Sequence, residues 1–390
     1  MKRYALNSFL AVAMVIVAFL ANYAVFGGPE LHNDFYYIAW RPGRALMQGQ
    51  NPYQAPHFLR YPLWTLVLSL PLAWLPLSIA MTSWTLLSEF AALGFLTATT
   101  RSLDWQLSPK AFGLLAVLSL IFRPSLASIV HGQYLFITLF FVGLSLLALH
   151  RKRNALAGVC LAMSLLKPQL VFLVVAGLLA WTVVQRRWSA VVSFLSTALA
   201  LVAVSHAFLP GWVDDWLLLI NEKQLQSKTF IVPSVWGLAH SLSSSQWVLV
   251  ASILSLILLA ALACLWWRHR NSMAYLPLLT AATIVVTQIV TPKAWNYDHT
   301  MLLLPLLYCL HKVSRPGGIS RPVRWSWLAV LLGWLMVLPH ILSYWASSHH
   351  SEIPYALLPI TMGILLLSIE AWGSTTGTSR GVVAVDEPAP

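Results

Sequence analysis

Four short polar clusters interrupt an otherwise apolar chain: His32-Asn33-Asp34, His131-Gly132-Gln133-Tyr134, Leu166-Lys167-Pro168-Gln169, and the run TPKAWNYDH from Thr291 to His299. Each holds groups that can do chemistry. A carboxylate such as Asp34 can take the proton of an attacking hydroxyl as a new bond forms. Lys167 can hold a phosphate or another anion as a point charge. His131 can donate to a phosphate oxygen, and Gly132 lets a backbone approach a ligand closely. Gln169 can hydrogen-bond a sugar or cap freed backbone groups. Lys293, Tyr297, Asp298 and His299 supply either a second acid/base pair or a phosphate-and-sugar clamp, at a helix start that itself attracts anions.

Each group also has a plainer role open to it. Asp34 can be a solvated loop acid or the N-cap of the FYYIAW segment. Lys167 can snorkel to an interface. His131 can be a structural hydrogen-bonder, and Asn296 or Asp298 can simply cap the following helix. Around Asp34, the stretch from Leu31 to Pro62 adds Tyr36, Tyr37, Trp40, Tyr53 and Tyr61, with Trp64 just beyond, and the cations Arg41, Arg44 and Arg60. Aromatics stack on sugar rings and pack against isoprenoid chains, but they also form the belts of membrane interfaces.

Other motifs are missing. The chain has no HExxH, no GxSxG and no glycine-rich nucleotide loop, so a cytosolic nucleotide-sugar or ATP site is not supported. Cys160, Cys264 and Cys309 lie in apolar spans without a CxxC pair, and His349-His350 reads as a solvated loop; no metal or other cofactor is implied. Glu89 is the one acid near the middle of a span, where pairing inside the bundle is expected.

The elements that position these clusters are membrane helices. Of 390 residues 58% are hydrophobic and only 9% charged, against roughly 25% charged in a soluble domain. Apolar runs near the bilayer-crossing length of ~20 residues recur throughout. The net charge of +12 falls in short loops between such runs, the pattern of the positive-inside rule rather than of a nucleic-acid binder. The expected fold is therefore an all-α polytopic membrane protein in the lipid bilayer, with no nucleic-acid partner.

Lys2 and Arg3 place the N-terminus in the cytoplasm, followed by an uncleaved first helix at 5–26. The run 62–78 looks like a second crossing, but Pro62, Pro71 and Pro76 interrupt it, and proline breaks helices. If that run only lies along or dips into the membrane, every later basic loop falls inside. Helices are then expected at 79–100, 111–123, 133–150, 154–167, 169–185, 188–209, 245–267, 272–290, 298–312, 325–345 and 353–372. With the first helix this makes about 12 transmembrane helices, both termini cytoplasmic. Residues 1–372 form one transmembrane domain, 27–78 an outer juxtamembrane segment containing Asp34, and 373–390 a disordered cytoplasmic tail. All four polar clusters share the outer face, as do Arg123 and Glu352.

The order of motifs NDFYYIAW, ALMQGQNPY, a tyrosine-proline at 61–62, PLAWLP, HGQ, LLKPQ and TPKAWNYDH resembles glycosyltransferase family 87, from about residue 1 to 310 and more loosely through PSVWGL at 233–238. These are GT-C-fold enzymes related to polyprenyl-phosphate-mannose-dependent α-mannosyltransferases. The resemblance implies a polyprenyl-phosphate-linked sugar donor in the outer leaflet of the inner or plasma membrane. The acceptor would be a hydroxyl of a glycolipid or cell-envelope glycan. Asp34 takes the place of the catalytic base, in an inverting transfer that needs no metal. Lys167 and His131 fall at the donor phosphate, with Lys293, His299 and Arg60 as further cations, and Asn33, Gln133, Gln169, Tyr297 and Asp298 beside the donor. Relatives tend to carry paired histidines in the last cluster, where this chain has Asp298-His299, so the sugar is mannose, another hexose or a pentose. The competing classes are a transporter or flippase of lipid-linked glycans, which should line both faces with polar groups, and a surface-polysaccharide polymerase or ligase, which usually carries a far larger outer loop than 210–244.

Overall fold

The computed structural model describes residues 2–26, 33–54, 59–226, 232–242, 245–315 and 320–378. Every regular element among them is helical. The chain opens with α1 (Lys2–Phe26), a π-helical turn (Tyr36–Trp40), α2 (Arg41–Met47), α3 (Leu63–Ala73) and α4 (Leu77–Ser102). It continues through α5 (Pro109–Ile121), α6 (Arg123–Val130), α7 (Leu135–His150), α8 (Asn154–Met163), α9 (Pro168–Val184) and α10 (Trp188–Phe208). The remainder is α11 (Trp212–Gln226), α12 (Val235–Leu242), α13 (Trp247–His269), α14 (Leu276–Val290), α15 (Leu303–Ser314), α16 (Arg321–Met336), α17 (Leu338–His349) and α18 (Leu357–Thr378).

Among the described residues six helical segments are long and apolar enough to cross a membrane, and a seventh is formed if α5 and α6 count as one span bent by 66°. Shorter apolar helices, among them α7, α8 and α9, fill the space between them. This is a multi-pass membrane protein. Its inner helices are knitted by small residues. Gly94 and Gly143 let α4 and α7 approach so closely that a Cβ on Gly94 would stand 2.7 Å from the Phe140 ring. Gly158 of α8 lies against the Ala190 carbonyl of α10, where a Cβ would sit 2.0 Å away. Such contacts suit a bilayer, where close packing rather than burial from water drives helices together. Apolar side chains such as Leu195 and Leu199 on α10 and Leu249 and Leu256 on α13 are exposed, as lipid-facing surfaces require.

Proline decides where several helices start or stop. α3 begins after Pro62 and ends before Pro76. Its 11 residues reach only about 16 Å at ~1.5 Å per residue, half the hydrocarbon thickness. The join expected at Lys167-Pro168 is present between α8 and α9, with Pro168 opening α9. The helix expected at 111–123 stops at Ile121 and turns into α6. That expected at 325–345 divides at Val337, just before Pro339. The one expected at 298–312 begins as a 3-10 segment, Asn296–Leu302. α18 runs on to Thr378, past the start of the expected tail, and 379–390 lie outside the described residues.

The polar connections gather at two opposite ends of the bundle. At one end His150 reaches Asp104 at 3.3 Å, Arg187 donates to the Leu149 carbonyl, and Gln185 donates to that of Arg270. At the other end lie the four polar clusters.

Candidate active site

The first two clusters form one unit. Asn33 donates its amide to the Val130 carbonyl at 2.9 Å, and the Phe35 N–H donates to the His131 carbonyl at 3.2 Å. Between them Asp34, half-buried, accepts a hydrogen bond from the buried Gln133 amide. Gly132 permits this approach. It adopts a left-handed φ of +66°, and a Cβ there would lie 2.6 Å from that of Phe35. The Trp84 indole fixes the same turn by donating to the Gly132 carbonyl at 2.9 Å, while its ring stacks on Phe35. His32 lies outside the described residues.

The last two clusters form a second unit. Lys167 and Asp298 make an ion pair of 2.6 Å with both side chains about 1% exposed. The other oxygen of Asp298 accepts from the Trp295 N–H at 3.0 Å, capping the 3-10 segment. Lys167 also stands 4.8 Å from the centroid of the Tyr297 ring.

Tyr297 and Tyr61 join the two units. The Tyr297 ring faces that of His131 at 5.5 Å, and α6 packs along the 3-10 segment. Tyr61 lies against Lys167 and touches Tyr134 edge-on at 5.8 Å. Burial first, and then the charges of Asp298 and Asp34, raise the Tyr61 phenol, while Lys167 offsets part of this; Tyr61 is therefore a neutral hydroxyl. Asp34 is close enough for its charge to act on Tyr61, Lys167 and Tyr297.

Other candidates are placed differently. Lys293 is half-buried, and its pKa is lowered by burial and then by the nearby charge of Arg60, itself exposed. His299 is fully buried on the far side of its segment, facing Gln288 across 3.1 Å, in the setting of a core histidine. Gln169 is exposed on α9 and is not tied into the cluster by any contact among the described residues. Several aromatics turn out to be braces. The indoles of Trp40 and Trp64 donate to the carbonyls of Leu75 and Leu165, and the Tyr53 hydroxyl donates to that of Tyr61. Glu89 accepts from Asn22 of α1 at 3.0 Å, a pairing within the bundle.

Sequence reasoning had no signal for the neutralisation of Lys167 by Asp298, because residues far apart in the chain carry no marker of their pairing. The bend after Phe122 was more accessible: Arg123-Pro124 marks it, since proline favours a new first turn.

The model of glycosyltransferase family 87 matches residues 58–292, more than half of the 390-residue chain. The chain belongs to this family. No curated protein matches it closely enough to add a relative of described activity. Together with its apolar helices, membership makes this family 87 chain a membrane glycosyltransferase that works at a lipid bilayer on a glycosyl donor and an acceptor. The matched stretch contains Arg60, His131, Gln133, Lys167 and Gln169; Asp34 precedes it, and Lys293, Tyr297, Asp298 and His299 follow it. The structure therefore unites matched residues with groups from both flanks of the matched stretch.

Proposed function

We propose that the protein transfers a sugar from a polyprenyl-phosphate donor to a hydroxyl of a glycolipid or envelope glycan on the outer face of the membrane, with Asp34 as general base. The observation that carries this reading is the convergence of all four polar clusters at one end of the bundle around Asp34. Asp298 is neutralised by Lys167, whereas Asp34 accepts from an amide and takes part in no ion pair among the described residues. Of these two carboxylates, Asp34 is the one left free to receive a proton.

In the proposed reaction the acceptor oxygen forms its bond to the anomeric carbon as the bond to phosphate breaks. The acceptor proton passes to Asp34, and the leaving polyprenyl phosphate takes the electron pair. Attack opposite the leaving group inverts the anomeric centre. The developing phosphate charge needs fixed cations. Lys293 and Arg60 suit this, because two cations held close to one another favour an anion between them. His131 adds a donor above Tyr297. Lys167, locked to Asp298, serves instead to hold the 295–298 segment against α9.

An apolar groove of about 420 Å³ between α3 and α10, lined by Val67, Leu70, Pro71, Trp74 and Phe208, suits a polyprenyl chain. It borders the proline-interrupted segment that directly follows Arg60 and Tyr61. The orientation with both termini cytoplasmic is supported by the grouping of the basic loops at the end opposite Asp34. About twelve crossings follow if α1, the bent α5–α6 pair, α7, α8, α9 and α15 span beside the six longer ones.

The test is turnover by the purified full-length protein with a panel of polyprenyl-phosphate sugars and a mixed envelope-lipid acceptor fraction. The expected result is release of polyprenyl phosphate from one donor at a rate saturable in acceptor. Use of a nucleotide sugar in place of every lipid donor would overturn the reading.

A further inference from the structure

Beside the catalytic cluster lies a second, polar cavity of about 320 Å³, walled by Arg123, Trp295, Asn296, Ser343, His350 and Glu352 among others. It is built from the start of α6, the 295–296 segment, the end of α17 and the turn that follows. None of these side chains is used in the transfer chemistry described above.

Their hydrogen-bonding capacity is incompletely spent. Arg123 makes one long hydrogen bond, to the Ser343 hydroxyl at 3.4 Å. One oxygen of Glu352 accepts from the Asn296 amide at 3.1 Å, while the other is shielded from solvent without a partner among the described residues. Arg123 and Glu352 are near enough for the guanidinium charge to act on the carboxylate, yet no ion pair joins them. The Trp295 side chain is 41% exposed at the rim.

A planar donor and a planar acceptor lining one cavity, together with an amide, hydroxyls and an exposed aromatic face, match a neutral polyol. A sugar hydroxyl can donate to Glu352 while its neighbour accepts from Arg123, and the C–H face of the ring can lie on Trp295. A phosphate would meet the Glu352 carboxylate, and an ammonium group would meet Arg123. We propose that this cavity is a saccharide subsite that holds a neutral sugar ring of the acceptor. Trp295 and Asn296 directly precede Tyr297, so a ring held there stands next to the cluster around Asp34. Assignment of the ring to the acceptor rests on the glycosyl-transfer reading; the binding of a neutral sugar does not.

The experiment is saturation-transfer NMR on the full-length protein in a detergent without a sugar headgroup. The probes are the methyl glycosides of mannose, galactose and arabinose, with inorganic phosphate as competitor. At least one glycoside should bind, unaffected by phosphate. Its Kd should rise about ten-fold or more, as expected for a lost charge-assisted hydrogen bond, in Arg123→Gln and Glu352→Gln. Trp295→Ala, which alters an exposed side chain and leaves the core intact, should weaken binding in the same direction. Asp34→Asn should bind the glycoside like the wild type whether or not it transfers sugar, which separates this proposal from the base assignment. Absence of binding by all three glycosides, unchanged binding in the three cavity variants, or loss of binding confined to Asp34→Asn would each overturn it.

Discussion

At the scale of single residues, the site contrasts two carboxylates. Asp298 is buried and matched by Lys167, whereas Asp34 is half-buried and held by Gln133. A buried pair is costly to break from one side, because the remaining charge loses its partner in a low dielectric. Lys167→Met should therefore destabilise the protein by about 3–5 kcal/mol, and the double change Lys167→Met with Asp298→Leu should recover much of that loss. Thermal unfolding of the two variants in detergent checks this. If the double variant is no more stable than the single one, Lys167 does more than neutralise Asp298. The residue types were legible in the sequence, including Asp34, Lys167 and Asp298. Their partners were not, since the pair spans 131 positions of chain; Lys167 alone reads equally well as a ligand group or a snorkelling side chain, and Asp298 as a ligand group or a cap.

At the scale of elements, the position of Asp34 depends on backbone contacts rather than on its own helix. The Gly132 turn, the Trp84 indole and the Phe35 N–H fasten residues 33–35 to the end of α6. Gly132→Ala meets both a left-handed φ and a contact of 2.6 Å with the Phe35 Cβ. The conformation alone costs roughly 1–2 kcal/mol, and the clash must move Phe35. Transfer activity should fall more than thermal stability does, because Asp34 is the neighbour of the displaced residue. A variant with wild-type turnover would show that the turn does not position the carboxylate. Most long helices were evident from hydrophobic runs, and the prolines marked the two ends of α3. The elements α11 and α12 were missed. α11 starts with Trp212, Asp214 and Asp215, and it packs through Trp212 and Trp216 on Trp64. Its helicity is set by that packing and not by an apolar period.

At the scale of the whole molecule, the bundle has two polar ends joined by apolar helices. One end gathers the basic turns near Asp104, Arg151–Arg153 and Arg187, and the other gathers the four clusters, the saccharide cavity and the apolar groove. A cysteine introduced at the exposed Gln106, Gln106→Cys, should be labelled by an impermeant thiol reagent only from the cytoplasmic side. Labelling from outside would reverse the orientation and place Asp34 on the wrong leaflet for the donor. The measurement closest to the central claim compares the wild type with Asp34→Asn in sugar transfer from a polyprenyl-phosphate donor, both purified and matched in thermal unfolding. Loss of the base should lower turnover by about 10²–10⁴-fold with the fold intact. Turnover within a few-fold of the wild type would contradict the assignment of Asp34 as the residue that takes the acceptor proton.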